Sequence, residues 1–590
     1  MRRTPIFALT AALLMVPLTL PTATASLAGA GRTAAPIEVQ LLSFTDFHGY
    51  LAPESAVGLG TIDSPQGRVS VGGAAYLAAN VERLQKGRIN SFVFSAGDAW
   101  SGWPFTTNAF ADEPTIEVLN AMDLDFNVVG NHEVDDGVED LIAKQRGACR
   151  DDREDCYLDS AGKPFAGTDF PNLSANLVDT RRNRPVMQPY TIETVCDEHG
   201  RPVRVGFIGL TTPTTTNGTT SILTDEHTVT PLLEATDRYV QQLQRQGVEA
   251  IVVVAHEGGT DSSADPNGCV DPRGPVVDYA RAANPAVDVI VTGHWHAGFN
   301  CQIPDPAGQL RPVVESQEHG RLLNEIRLQI DASTGDVIRD ETTSTNHLNS
   351  RDIAPDPQVQ GIVERWVARG EERFLQPLAT LTGDVTRDPA PTTGETLLGN
   401  LAADAYLAEG ADHGAELALA SPATLRTTPL RRTLTYAPSP EPADAPGRVL
   451  FGEAFDSHGY GNPVLTVSMT GAVLEQVLEQ QWRAMPDGTT ASHVLGLSAS
   501  IRVAHDTIRP VGDRIDPADV TINGRPLEPA RTYRVAALAY LLLGADGYTA
   551  ATQHTDRSRG LVDKEAFTAY LGDLHEAINP AQLSGRVTAG

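Results

Sequence analysis

Five short apolar runs, VQLLSF, SFVFSA, FNVVG, AIVVVAH and VDVIVTG, recur between helix-like stretches from residue 37 to about 345, and each ends in a side chain able to hold a metal. The endings are Asp46-Phe47-His48, Gly97-Asp98, Gly130-Asn131-His132-Glu133, His256-Glu257 and Gly293-His294-Trp295-His296. Runs of this length and composition read as buried strands of an α/β layer. Ligands bind at the carboxyl ends of such strands, so five endings of this kind can converge on one edge. Residues i and i+2 of an extended strand end point the same way, which lets Asp46 and His48 both reach one ion, and the same holds for His294 and His296. Asn131 and His132 are adjacent and should diverge, so they are expected to serve different roles. Imidazole, carboxylate and amide without thiolate suit zinc, manganese, iron or cobalt in a reactive site better than a cysteine-rich structural zinc.

Charge narrows the partners. With 45 Lys plus Arg against 75 Asp plus Glu the net charge is −30, which repels polyanions at long range and argues against binding duplex nucleic acid. Small phosphorylated ligands stay accessible, because a bound cation reverses the local potential. The opening MRRTPIFALTAALLMVPLTLPTATAS has two arginines, an apolar stretch broken by Pro17 and Ala23-Thr24-Ala25, the form of a signal peptide over residues 1–25 cleaved after Ala25. That run is too short for a membrane anchor, so export into a disulfide-permitting compartment is expected. The five cysteines, Cys149, Cys156, Cys196, Cys269 and Cys301, contain no CxxC pair. Cys269 with Cys301 is the expected bridge, bracing the turn that carries His294 and His296, with Cys149 and Cys156 next and Cys196 free.

The expected organisation is a first domain over 36–345, a polar linker and connecting helix over 346–377 with Ile362, Val363, Trp366 and Val367 at helical spacing, and a second domain over 378–590.

The ordered set DxH, GD, GNHE, H and GHxH resembles the calcineurin-like dinuclear metallophosphoesterases. The stretches GETLLGNLAADAYL, FGEAFDSHGYGNPVLTVSMTGAVLEQVLEQ and VTINGRPLEPARTYRVAALAYLLLGADGY resemble the C-terminal domain of secreted bacterial 5'-nucleotidases. The resemblance implies an α/β fold: a four-layer β-sandwich flanked by helices, joined to a second α/β substrate-binding domain. It implies two divalent ions, one held by Asp46, His48, Asp98 and His296 and the other by Asp98, Asn131, His256 and His294, with Asp98 as the bridge. His132 matches the catalytic histidine that binds no metal, and Asp135 the carboxylate that orients it. Tyr460 and Tyr540 fall at the two ring positions that clamp a base, Asn462 and Asp546 at base- and ribose-binding positions, and Arg387 and Arg426 at arginines of the substrate site.

The implied activity is hydrolysis of nucleoside 5'-monophosphates to nucleoside and phosphate. The alternatives are a 2',3'-cyclic nucleotide phosphodiesterase, a UDP-sugar hydrolase or another phosphoesterase on the same scaffold, and an extracellular binding protein that keeps the metals for stability. Three departures from the family pattern bear on substrate choice. Ser421-Pro422-Ala423-Thr424-Leu425-Arg426 stands where the family shows N-x-GG-[IV]-R, Ala545 replaces a glycine, and both rings are tyrosine where phenylalanine is commoner. His296 also stands where many relatives have glutamine.

Overall fold

A computed structural model describes residues 35–590 apart from 55–58, 65–66, 103, 149–155, 198, 218–225, 426–432, 442, 459–460 and 486–488. The expected signal peptide, Cys149, Arg426 and Tyr460 therefore lie outside the described residues.

Two six-stranded sheets face each other. The first runs in the order Thr343–Leu348, Leu322–Ile330, β1 (Ile37–Phe44), β2 (Ser91–Ser95), β3 (Phe126–Val128) and Asn172–Leu173. The second runs Gly298–Pro304, Leu310–Ser316, β5 (Val289–Thr292), β4 (Ala250–His256), Pro202–Thr211 and Tyr190–Cys196. β1, β2 and β3 are mutually parallel, as are β4 and β5, so their carboxyl ends share one edge in each sheet.

Strand periodicity explains the layering. In β4, Ala250, Val252 and Val254 enter the core between the sheets, while Ile251, Val253 and Ala255 face the outer helices. A strand covered on both faces needs an unbroken apolar run, which is what AIVVVA supplies. β1 behaves likewise, with Val39 and Leu41 between the sheets and Leu42 and Phe44 outward. Helices α1 (Ala74–Gln85), α2 (Glu113–Ala121) and α3 (Val138–Arg146) cover the first sheet, and α4 (Leu232–Arg245) and α5 (Pro275–Ala282) the second. The four layers that the resemblance implies are present.

Helix α6 (Pro357–Phe374) starts at Asp356, whose carboxylate accepts from the amides of Gln358 and Val359 ahead of a Pro at the first helical position. Its buried face, Val359, Ile362, Val363 and Trp366, joins the first core. The Trp366 indole donates to Glu117 Oε2 at 2.7 Å.

The remaining chain builds a five-stranded sheet, Gly496–Leu497, Leu417–Ala420, Thr532–Leu538, Pro463–Thr470 and Thr555–Val562. Helices α7 (Leu397–Glu409) and α9 (Asp563–Gly572) cover one of its faces. Between them in sequence, α8 (Phe451–Ser457) brings Phe451 and Phe455 against Phe105, with centroids 6.1 and 5.2 Å away. A methyl at Gly452 would lie 1.9 Å from the Phe374 ring, so only glycine permits this docking. Cys269 and Cys301 are bonded, Cys196 is free and Cys156 is disulfide-bonded.

Candidate metal centre

Side chains from all five strand ends meet at one edge. Asp46, His48 and His296 form one group with ligand atoms within 4.8 Å of one another, and Asp98, His256 and His294 form a second. Asp98 also groups with His48 and His132. His48 Nε2 lies 3.2 Å from His296 Nε2, His296 Nε2 3.3 Å from Asp46 Oδ1, and His256 Nε2 2.9 Å from Asp98 Oδ2.

The backbone differs from the extended strand ends expected from sequence. Asp46, His48, Asp98, His294 and His296 all have positive φ, between 49° and 81°. The strands have ended by these positions, and left-handed turns fold each side chain back over the edge; Asp and His tolerate this region better than most residues. Backbone held in so sparsely populated a region is typical of functional sites.

Glycine at the neighbouring positions is a steric requirement. A methyl at Gly130 would sit 2.2 Å from Asp98 Oδ1, at Gly97 2.5 Å from His256 Nδ1, and at Gly293 2.7 Å from Asp46 Oδ2. The glycines of the GD, GNHE and GHxH motifs make room for the candidate ligand side chains themselves.

The donor set fits a cation. His256 Nδ1 is 2.9 Å from the Ala96 carbonyl, which only accepts, so Nδ1 carries the hydrogen. The lone pair of Nε2 then faces Asp98 Oδ2, and two acceptors at that separation repel unless a proton or a cation lies between them. Asn131 Oδ1 is buried and has no hydrogen-bond partner among the described residues, a costly arrangement that a cation would relieve.

Without the ion, protons take its place. Burial alone would lower His256, but the Asp98 charge and hydrogen bond and the Asp46 charge lift it to about 10. Burial raises Asp46, yet the His296 hydrogen bond and the charges of His256 and His296 bring it to about 2. His48 falls to about 3 and His294 to about 4 through burial, helped by the charges of His132 and His256 respectively. Cation binding at such a site must release protons.

His132 stands beside this cluster, its ring 5.0 Å from that of His48. Its amide donates to Asp98 Oδ1 at 2.8 Å and its Nδ1 to Asp135 Oδ2 at 2.6 Å. Burial lowers His132, but the charges of Asp135 and Asp98 raise it to about 9. Nε2 is the nitrogen left to face a reacting group.

Sequence reasoning gave Glu133 no part. Its buried carboxylate accepts from the amides of Asp98 at 2.9 Å and of Ala99 and Gly130, each at 2.7 Å, and so ties the GD loop to the GNHE loop. Its place inside GNHE was the available signal, since the glutamate is not needed as a ligand. His319, stacked on Tyr50 at 3.5 Å with its ring 6.0 Å from that of His296, also went unnoticed, because the strand before it, LRPVVES, has only a short apolar stretch between Arg311 and Glu315.

The second half reaches the same region. Gly461, Val562, Lys564 and Glu565 line a narrow cavity, with room for little more than a water molecule, together with Ser101, Asp112, Asp135 and Asp136. Asn462, next to Gly461, is buried with Oδ1 unpartnered among the described residues. The Tyr540 hydroxyl donates to Asp546 Oδ1 and the Ser421 hydroxyl to Asp546 Oδ2, both at 3.0 Å. Arg387 instead lines a separate cleft with Trp482 and His505, and its Nη2 donates to the Pro422 carbonyl at 2.7 Å.

Comparison with known proteins agrees with this geometry. Residues 40–298 match the calcineurin-like phosphoesterases and residues 377–553 the 5'-nucleotidase C-terminal domain. A cell wall protein of Listeria monocytogenes is 26% identical over 93% of this chain and 69% of its own length. NAD 5'-nucleotidase of Haemophilus influenzae is 24% identical over 87% of this chain and 85% of its own. The crystal structure of a 5'-nucleotidase precursor from Thermus thermophilus superposes with a TM-score of 0.52 at 23% identity, covering 94% of this chain and 99% of that one. Fold, site and comparisons together define a metal-dependent phosphoric ester hydrolase. The chain belongs to the 5'-nucleotidase family, with a calcineurin-like phosphoesterase portion followed by the 5'-nucleotidase C-terminal domain. No helix among the described residues is long and apolar enough to cross a membrane.

Proposed function

We propose that this hydrolase releases phosphate from nucleoside 5'-monophosphates outside the cytoplasm. Residues 36–345 carry the chemistry, 346–377 join the halves and 378–590 select the substrate. The observation that carries the reading is the position of Asp98: Oδ2 is 2.9 Å from His256 Nε2 and 4.0 Å from His48 Nε2, between the two ligand groups. Asp46, His48, Asp98 and His296 would hold one divalent ion, and Asp98, Asn131, His256 and His294 the other.

Such a pair of ions supplies charge neutralisation at the phosphoryl oxygens and lowers the pKa of water. The chain's own residues do the rest. Asp135 fixes His132 with the hydrogen on Nδ1, so a protonated Nε2 donates to the leaving oxygen, a contribution of about 10² to 10⁴ in rate. Tyr460 and Tyr540 stack on the base, Asn462 contacts it, Asp546 accepts from the ribose, and Arg426 assists in holding the substrate.

A second reading, a different phosphoester such as a 2',3'-cyclic nucleotide or a UDP-sugar, draws on one observation: both Asp546 oxygens are already engaged by Tyr540 and Ser421. Phosphate release from nucleoside 5'-monophosphates, 2',3'-cyclic nucleotides, a UDP-sugar and an aryl phosphate separates the two. The proposal expects the highest kcat/KM with the monophosphates and loss of activity with a chelator. Faster turnover of a cyclic nucleotide or of the aryl phosphate would overturn it. Export is supported by the Cys269–Cys301 bridge, since disulfides persist in oxidising compartments. Amino-terminal sequencing of secreted protein should begin at Ser26.

A further inference from the structure

Behind the His132 turn lies a buried charge cluster with no part in metal binding. Lys144, in the last turn of α3, is 4% exposed, and its Nζ lies 2.8 Å from Asp140 Oδ2, 3.3 Å from Asp112 Oδ2 and 3.7 Å from Asp136 Oδ2. One ammonium thus holds three carboxylates from three segments. Asp112 is 2% exposed in its side chain, has φ 63°, and accepts from the Ser101 hydroxyl at 3.1 Å, three residues after Asp98. Asp136 directly follows Asp135 in a tight turn closed by the Asp135 amide on the His132 carbonyl at 3.2 Å and the Gly137 amide on the Val134 carbonyl at 2.9 Å.

We infer that Lys144 is a positioning residue for the His132–Asp135 pair, acting through Asp136. This rests on the reading of His132 as the proton donor. Three like charges in one buried site repel one another when the ammonium is removed, because low dielectric strengthens the repulsion. Asp136 is the farthest of the three from the ammonium and the most exposed, at 14%, so it is the one to swing toward solvent. A single peptide unit connects it to Asp135, whose oxygen fixes His132 at 2.6 Å. Misplacement by about 1 Å near the reacting centre can lower a rate by roughly 10²-fold.

The test is a double-mutant cycle on the metal-loaded full chain, with a nucleoside monophosphate as substrate and metal content measured alongside. Lys144→Met should lower kcat by about 10- to 100-fold with KM within about twofold and both metals retained. In a His132→Ala background the same change should cost less than about threefold, because the group it positions is already gone. Restoring charge balance with Asp136→Asn in the Lys144→Met chain should recover much of the lost kcat. Should Lys144→Met fail to fold, Asp136→Asn alone leaves Lys144 with its other two carboxylates and should lower kcat several-fold only when His132 is present. Equal losses in both backgrounds, a loss carried by KM or metal content, or an Asp136→Asn protein with unchanged kcat would each overturn the inference. A His132→Ala protein with normal kcat would instead overturn the role of His132 itself.

Discussion

Gly130→Ala isolates the geometry of the centre from its chemistry, because no ligand is removed. Gly130 does not have a positive φ, so alanine meets no backbone penalty there, unlike at Gly97, where φ is 102°. The added methyl would lie 2.2 Å from Asp98 Oδ1, 2.7 Å from the Asp98 amide nitrogen and 2.9 Å from its Cγ, whereas ordinary contact begins at 3.4 Å. Asp98 must therefore retreat by roughly 1 Å. It cannot do so by side-chain rotation alone, since its amide is crowded too and is bonded to Glu133 at 2.9 Å. Overpacking of this kind costs about 1 to 3 kcal/mol of stability, which a chain of this size can absorb. A displacement of about 1 Å in Asp98, the proposed bridging ligand, should lower kcat by about 10²-fold and reduce metal occupancy. Steady-state kinetics with elemental analysis, beside a thermal melt to show that the protein is folded, reads all three. Wild-type kcat with full metal content in Gly130→Ala would refute the argument that this glycine makes room for Asp98.

Other parts of the molecule can be tested separately. Cys269→Ser opens a bridge spanning 32 residues and should cost roughly 3 to 4 kcal/mol in urea denaturation; an unchanged midpoint would refute the bridge as a stabiliser. Tyr540→Ala should lower kcat/KM for nucleoside monophosphates by roughly 5- to 150-fold while Tyr540→Phe keeps most of it, and an equal loss on a small aryl phosphate would refute base stacking. Burial raises the Glu325 carboxyl, but bonds from His347, Arg327 and Gln40 bring it down to about 2 from an ordinary 4.5. The stability it contributes is complete above about pH 4.5 and lost as pH falls toward 2, so Glu325→Gln should flatten the acid limb of stability over that window. An acid limb unchanged in Glu325→Gln would count against the assignment.

The strands and their endings were legible because burial on both faces demands unbroken apolar runs, and because Asp46, Asp98, Asn131, His256 and His294 each interrupt such a run with a chemically distinct side chain. That α6 is a helix with one apolar face was legible from the spacing of Ile362, Val363 and Trp366, but that this face joins the first core was not. The turns that aim the ligands were not. Asp46 and His48 share a side through left-handed backbone, not through strand pleating, and nothing in a two-residue spacing distinguishes the two. Glu133 and Lys144 were hidden for a different reason: each acts on groups distant in sequence, Glu133 on the amides of Asp98 and Ala99 and Lys144 on Asp112, and a charged residue in a helix reads as a solvated face until its burial is known. The resemblance gave Tyr540 and Asp546 separate places in the substrate site, but the hydrogen bond between them, and the one from Ser421, needed the fold.

The central claim is a two-ion centre bridged by Asp98, and metal stoichiometry tests it most directly. Elemental analysis of the purified native chain should give two divalent cations per molecule, and Asp98→Ala should lose both or retain at most one, because a single carboxylate stands between the His256 and His48 groups. A folded Asp98→Ala protein that keeps two cations per chain would contradict it.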